Sequence, residues 1–412
     1  MTRLQFLTAG ESHGPALTAI LEGLPAGLPI SEAAIDKELA RRQVGYGAGA
    51  RMKIEQDRVQ ILSGVMAGIT IGAPLSFLIQ NRDHAKWQGK PVPAFTVPRP
   101  GHADLAGAVK YRLHDLRPAL ERASARETAA RVAVGAACKL LLAEFDIQVG
   151  GYVISIGEAA ANLEGIPFED RFIAAEQNQV RCPDRSAASQ MSARIGEIIQ
   201  QRDTLGGVIE VVALGLPVGL GSYSQWDRRL EARLGAAVLS IQAIKGVEIG
   251  PAFENTHLPG TQVHDPIRLE GSVLVRSSNR AGGLEAGITC GGPLVLRAAM
   301  KPIATTLTPQ RSVDLAAGVE TETHYERSDF CPVPRAVPIV EAMVAFVLAD
   351  ALLEKLGGDS LEEMKIRYAK LRRLTMEDLR MDGEPRVYWP SVEQSENPQQ
   401  LASGTDLPSK PS

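Results

Sequence analysis

Three histidines sit in polar surroundings, the first two beside glycine: His13 in GESHGP, His102 in RPGHAD and His114 in RLHDLR. Imidazole gives or takes a proton near neutral pH, so each is a candidate acid or base. GESHG carries the strongest signal. Glycines flank Glu11, Ser12 and His13 directly after a predicted strand, where backbone can approach a ligand closely. RPGHAD is likewise a tight turn presenting an imidazole. His114 falls on a predicted helix and reads as a surface residue.

Arginine is the second signal. Arg41, Arg42, Arg51, Arg99, Arg122, Arg126 and Arg131 fall beside glycine-rich loops or at a helix start. Any one of them reads equally well as a solvated or ion-paired charge. As a set they point to a small polyanion. Guanidinium binds phosphate or carboxylate through paired hydrogen bonds, and a helix N-terminus adds free N–H groups. KPIATT at 301–306 offers Lys301 and Thr305 to a phosphate, and ERSDFC at 326–331 offers Asp329, beside Arg327, as a paired carboxylate or a base. The chain has no GxGxxG opening a helix and no GxxxxGK[ST], which disfavours ordinary dinucleotide and ATP folds. The SNRAGG loop at 278–283 yields no derivable role.

These groups need a scaffold. Residues 4–9 read as a strand running into GESHG. Ser31 caps a helix with Ile35 and Leu39 on one face, ending at Arg41, Arg42 and Gln43 before the glycine-rich GYGAGAR. Residues 59–62 and 75–79 read as strands, and 81–101 as a long functional loop. Ser124-Ala-Arg-Glu127 matches a capping box, which predicts a helix to about Glu144 with Val132, Ala136, Leu140 and Ala143 on one stripe. Strands follow at 150–156, 207–214 and 294–300, and helices at 186–203, 227–243 and 336–355. Helices and strands mix without regular βαβ alternation, so the expected class is α+β. Residues 1–382 read as a single domain. From 383 to 412 the composition shifts to Pro, Ser, Gln and Asn, which predicts a disordered tail.

Composition excludes other classes. The 412 residues are 44% hydrophobic and 22% charged, so the chain is not disordered overall and is long enough for a sizeable core. Net charge is −4, from 44 Lys+Arg against 48 Asp+Glu, so no nucleic-acid partner is expected. Cys138, Cys182, Cys290 and Cys331 are far apart, without CxxC spacing or a Cys/His cluster, so they read as free thiols and no metal is expected. The N-terminus lacks a signal-type apolar core. The best apolar run, residues 132–142, is broken by Lys139. The expectation is a cytoplasmic protein that does not enter a membrane.

Taken together, these segments resemble the chorismate synthase family. The match spans about Arg3 to about Lys355 and keeps the family's order: TAGESHG, ELARRQ-x-GYG, PRPGHAD, ERASARETAARVAVGA, WDRRLEARL, SIQAIKGVEIG, NRAGG, MKPIAT, and ERSDFC with PRAVPIVEAM. The resemblance implies a β-α-β sandwich with helices between antiparallel sheets, assembled as a homotetramer. It implies conversion of 5-enolpyruvylshikimate 3-phosphate to chorismate and phosphate in aromatic amino-acid biosynthesis. Reduced FMN is required without net redox change, with NADPH as ultimate reductant, directly or through an external flavin reductase.

By the same resemblance His13 is the acid at the departing phosphate, and His102 protonates or neutralises the reduced flavin. Asp329 acts with the flavin in taking up the substrate proton. Substrate contacts carry over to Ser12, Arg42, Arg51, Arg99, Ser124, Arg126 and Arg327. Flavin contacts carry over to Arg122, Ala123, Ser124, Gln242, Ala243, Ala286, Lys301, Pro302, Ile303, Ala304, Thr305 and Arg327. The NADPH contact carries over to Arg42 and position 48. Where the family usually reads GYGR, this chain has Gly45-Tyr46-Gly47-Ala48. RSSARET becomes Arg122-Ala123-Ser124-Ala125-Arg126-Glu127-Thr128, and SINA becomes Ser240-Ile241-Gln242-Ala243. Two alternatives stay open: a reductase passing hydride from NADPH to FMN, and a catalytically impaired polyanion-binding member of the same fold.

Overall fold

The computed structural model describes residues 4–48, 56–326 and 328–389. A first sheet joins β1 (Gln5–Ala9), β2 (Ala16–Glu22), β3 (Val59–Ser63) and β4 (Leu75–Gln80) in the order β1-β2-β4-β3, antiparallel throughout. Alternation sets its faces. Leu17, Ala19 and Leu21 point into the core with Leu75, Phe77 and Ile79, while Leu7 and Ile20 pair across the outer face. The second sheet uses β5 (Gln148–Ile156), β6 (Ala159–Ala160), β7 (Gly207–Leu214), β8 (Ile244–Ile249) and β9 (Leu294–Met300), ordered β8-β9-β7-β5-β6 and again antiparallel.

Helices fill the space between the sheets. The helices that bear on the site are α1 (Glu32–Gln43), α2 (Asp104–Tyr111), α3 (Arg117–Ala123), α4 (Thr128–Ala143), α5 (Leu230–Leu239) and α6 (Val333–Leu356). α4 packs on the first sheet, α6 packs on β5 and β7, and the two helices pack on each other. This is the expected α+β sandwich. α6 is long and apolar enough to cross a membrane by length and composition, but 94% of that apolar stretch is buried inside the fold. It carries two buried acids, Glu341 and Asp350. Fully buried Glu341 takes Arg41 Nη1 at 2.6 Å and Nη2 at 2.9 Å, and Lys139 Nζ at 2.5 Å.

Gly135 lets α4 and α6 touch. A Cβ there would stand 2.2 Å from Ala342 Cβ and 2.4 Å from its Cα. Gly135→Ala gains about 1 kcal/mol of helix propensity. Backbone cannot rotate away from that clash, and overpacking costs about 1–3 kcal/mol or more. A net loss of stability is expected in urea melts, and an unchanged midpoint would contradict this packing.

Four expectations need correction. Ser124 caps a short 3-10 turn, Ala125–Glu127, through Arg126 N–H, and α4 starts only at Thr128. No capping box forms, because Glu127 bonds Thr8 Oγ1 and Arg131 instead, and the charged partner wins. The apolar stripe is also too narrow: α4 is buried on nearly every side, whereas Ala143 is exposed. The predicted 227–243 helix is a 3-10 turn followed by α5, and Ala243 takes φ 67°. His114 is exposed, as expected, but lies in the connection between α2 and α3. His114→Ala should therefore leave turnover within about twofold of the parent, because surface changes are usually near neutral. A large loss in a steady-state assay would contradict it.

All four cysteines are buried and free. Burial pushes their thiols up where a shift is resolved, to about 11 at Cys182 and about 12 at Cys331. They are inert packing residues.

Candidate active site

The β1–β2 turn carries Ser12 and His13. Gly10 there has φ 110°, and a Cβ on it would meet Ala16 O at 2.4 Å. Asn81 pins the turn by donating to Glu11 O (3.1 Å) and Gly14 O (2.9 Å). Glu121 on α3 accepts from His13 twice, from the backbone N–H and at Nδ1, each at 2.7 Å. The Trp87 ring lies on the imidazole, with centroids 4.4 Å apart. Ser124 Oγ reaches Ser12 Oγ at 3.1 Å.

Facing this turn is a second histidine with its own carboxylate. His102 Nδ1 lies 2.5 Å from Asp104 Oδ1, which places the Nδ1 proton in that bond. Arg99 grips the same carboxylate, from Nε at 2.8 Å and Nη2 at 3.0 Å, and donates to Thr305 Oγ1 at 3.0 Å. Burial opposes the Asp104 charge, but His102 and Arg99 hold it well below the usual carboxylate range.

The third cluster is cationic. Arg42 comes from the last turn of α1, where Ser31 caps the start and Arg41 and Arg42 favour the end. Its Nε donates to Thr128 Oγ1 (3.0 Å) and its Nη2 to Ala125 O (3.0 Å). Arg126 Nη1 donates to Asp57 Oδ1 at 2.6 Å, and Asp57 Oδ2 lies 3.4 Å from Arg42 Nη1. One buried carboxylate thus serves two guanidiniums. Arg335, from the first turn of α6, pairs with Asp329 and donates from Nε to Arg42 O at 3.1 Å. Burial drives the Arg42 guanidinium down to about 9; Asp57 pulls it up, and Arg335 and Arg126 push it further down. An anion entering here would relieve that excess of buried positive charge.

These groups share one cavity of about 520 Å³. Of the residues expected from sequence, Ser12, His13, Arg42, Arg99, His102, Ala123, Ser124, Arg126, Gln242, Ala243, Lys301, Ile303, Ala304, Thr305 and Asp329 line it. Arg122 is exposed and bonds Thr8 O and Oγ1 instead, and Pro302 is exposed beyond the lining. Ala286 lies on the turn between Leu284–Glu285 and Ile288–Thr289, and half-buried Ala48 is also outside the lining. Arg51 and Arg327 fall outside the described residues.

Sequence reasoning missed Trp87 and Arg335 in the lining, and Asp57, Asp104 and Glu121 behind it. Asp104, two residues after His102 in PGHAD, carried a readable signal. Asp57 and Glu121 meet their partners only through the fold.

The cavity fits a flat cofactor beside a polyanion. Ala103, Ala123, Ala125, Ala243 and Ala304 give small apolar walls, with Arg and Lys groups beside them. Gln242 Oε1 is buried with no hydrogen-bond partner among the described residues, an acceptor suited to a ring N–H. Ala243 holds a left-handed backbone, and such strain clusters at ligand sites.

Residues 4–353 match the family model described as chorismate synthase. The chorismate synthase of Syntrophotalea carbinolica is 52% identical, over 89% of this chain and 97% of that protein. The Symbiobacterium thermophilum protein of the same name is 54% identical, over 87% and 96%. A chorismate synthase crystal structure superposes with a TM-score of 0.74 at 46% identity, covering 90% of this chain and 97% of the other. The sandwich, the cavity and these relatives agree: the chain belongs to the chorismate synthase family.

Proposed function

We propose that the chain converts 5-enolpyruvylshikimate 3-phosphate to chorismate and phosphate by 1,4-elimination, with reduced FMN as cofactor. The observation that carries this reading is one cavity holding two carboxylate-bound histidines and the guanidiniums of Arg42, Arg99, Arg126 and Arg335. The substrate brings one phosphate and two carboxylates, and bidentate guanidinium contacts suit both groups. Asp57 and Asp104 hold three of these cations in place before substrate arrives, so little ordering is left to binding.

His13, with Nδ1 held by Glu121, carries at Nε2 the proton that assists the leaving phosphate. Asp329, oriented by Arg335, would act with the reduced flavin in taking up the proton lost from the ring. His102, tied to Asp104 through Nδ1, is the group that would protonate or neutralise the reduced cofactor. Reduced FMN, when bound, supplies an electron transiently and recovers it, so the reaction is redox-neutral. Gln242, Ala243, Lys301, Ile303, Ala304 and Thr305 are the groups that would hold it.

The same reading takes residues 1–382 as one catalytic domain and the working unit as a homotetramer. NADPH is the ultimate reductant, either directly at Arg42 and the loop bearing Ala48 or through a separate reductase. The test is anaerobic supply of substrate with chemically reduced FMN. Chorismate is the expected product. Tight flavin binding without product would favour a polyanion-binding member, and NADPH-driven flavin reduction alone would favour a reductase.

A further inference from the structure

We propose that Glu121 is the positioning residue for His13, fixing both the tautomer and the orientation of the proposed phosphate-side acid. The role rests on the reaction proposed above. Nothing in the sequence singled out this glutamate. It lies 108 residues from His13, on the short helix α3.

The contacts are too many for a chance neighbour. Glu121 Oε1 meets His13 Nδ1 at 2.7 Å, Oε2 accepts the His13 backbone N–H at 2.7 Å, and the Glu121 carbonyl accepts Ser12 N–H at 3.3 Å. Backbone and ring of one histidine are thus held by one carboxylate. His84 adds Nδ1 at 2.9 Å from His13 O, and Trp87 covers the ring face. The imidazole cannot swing without breaking these contacts.

Chemistry follows from that geometry. A carboxylate on Nδ1 selects the Nδ1–H tautomer and steadies the imidazolium, leaving Nε2 as the atom that exchanges a proton with a reacting group. Glu121 must be ionised for this. Burial works against its charge, but the hydrogen bonds from His13 and the nearby Arg117 hold it below the ordinary carboxylate range. Its outer side faces a second, more open cleft with Glu11, Asp115, Arg117 and Arg122, so solvent can reach the carboxylate without passing through the main cavity.

Glu121→Gln tests the assignment. The amide keeps one acceptor and loses the charge, so it cannot accept from both nitrogens of His13 as well. Turnover is expected to fall roughly 10- to 100-fold with KM little changed, a part of the roughly 100- to 10,000-fold that a general acid supplies. Glu121→Asp, which keeps the charge on a shorter stem, should recover some of the loss.

The deciding readout is the ring itself. In flavin-free protein with 15N-labelled histidine, above the histidine titration range, neutral His13 should be the Nδ1–H tautomer, and Glu121→Gln should shift it toward Nε2–H. An Nε2–H ring in the parent overturns the proposal even if the variant fails to fold. So does a variant with unchanged ring signals and parental turnover. The tautomer is read without catalysis, so a parent protein making no chorismate counts against the reaction, and the ring measurement still decides the role of Glu121.

Discussion

Replacing His13 with alanine is expected to cut turnover roughly 100- to 10,000-fold while leaving fold and flavin binding intact. His13 sits in a turn held by other groups: Gly10 makes the bend, and Asn81 binds Glu11 and Gly14 on either side. The backbone N–H of residue 13 keeps its bond to Glu121 when the ring is gone. The imidazole is lost, with its contacts to Glu121 Oε1 and Trp87. Single-turnover rates, flavin titration and a thermal melt separate the outcomes. A variant turning over at the parent rate from pH 6 to 8 would remove His13 from the mechanism. A variant that melts early would show that the ring props the turn.

The second large effect falls on stability. Glu341→Gln leaves Arg41 and Lys139 without their buried partner, and breaking a buried pair in this way costs about 3–5 kcal/mol. The lower end is expected, because Glu38 still contacts both cations and Glu176 contacts Arg41. Burial raises the Glu341 carboxyl, but Arg41 and Lys139 outweigh it and bring it down to about 2. The folded value is thus depressed below the unfolded one, near 4.3. The stabilisation is complete above about pH 5 and is lost as pH falls toward about 2. Urea melts of both proteins at pH 7 and pH 3 test this. The gap should be wide at pH 7 and narrower at pH 3. An equal gap at both would mean that the Glu341 charge is not what Arg41 and Lys139 stabilise.

Much of the scaffold was legible because it depends on short-range pattern. The α1 cap, the alternation in β4 and the apolar length of α6 are all written in neighbouring residues. What failed depends on distant partners. Glu127 looked like half of a capping box, yet Arg131 and Thr8 claim it. The 227–243 helix broke at Arg229, after a 3-10 turn, and ended at Leu239, short of the left-handed Ala243 that lines the cavity. In the site, His13, His102 and the arginines announced themselves by residue type and glycine context. Of the carboxylates behind them only Asp104, two residues after His102, left a local trace, since acids are common on any surface. Asp57 and Glu121 differ from the other acids only in being folded against a functional group.

The central claim is a redox-neutral elimination, and counting products per flavin tests it most directly. Under anaerobic conditions the protein would receive excess 5-enolpyruvylshikimate 3-phosphate, a trace of chemically reduced FMN and no NADPH. Chorismate and phosphate should appear in equal amounts, far in excess of the flavin, which stays reduced at the end. Product limited to one equivalent per flavin, with the flavin left oxidised, or no chorismate at all, would contradict it.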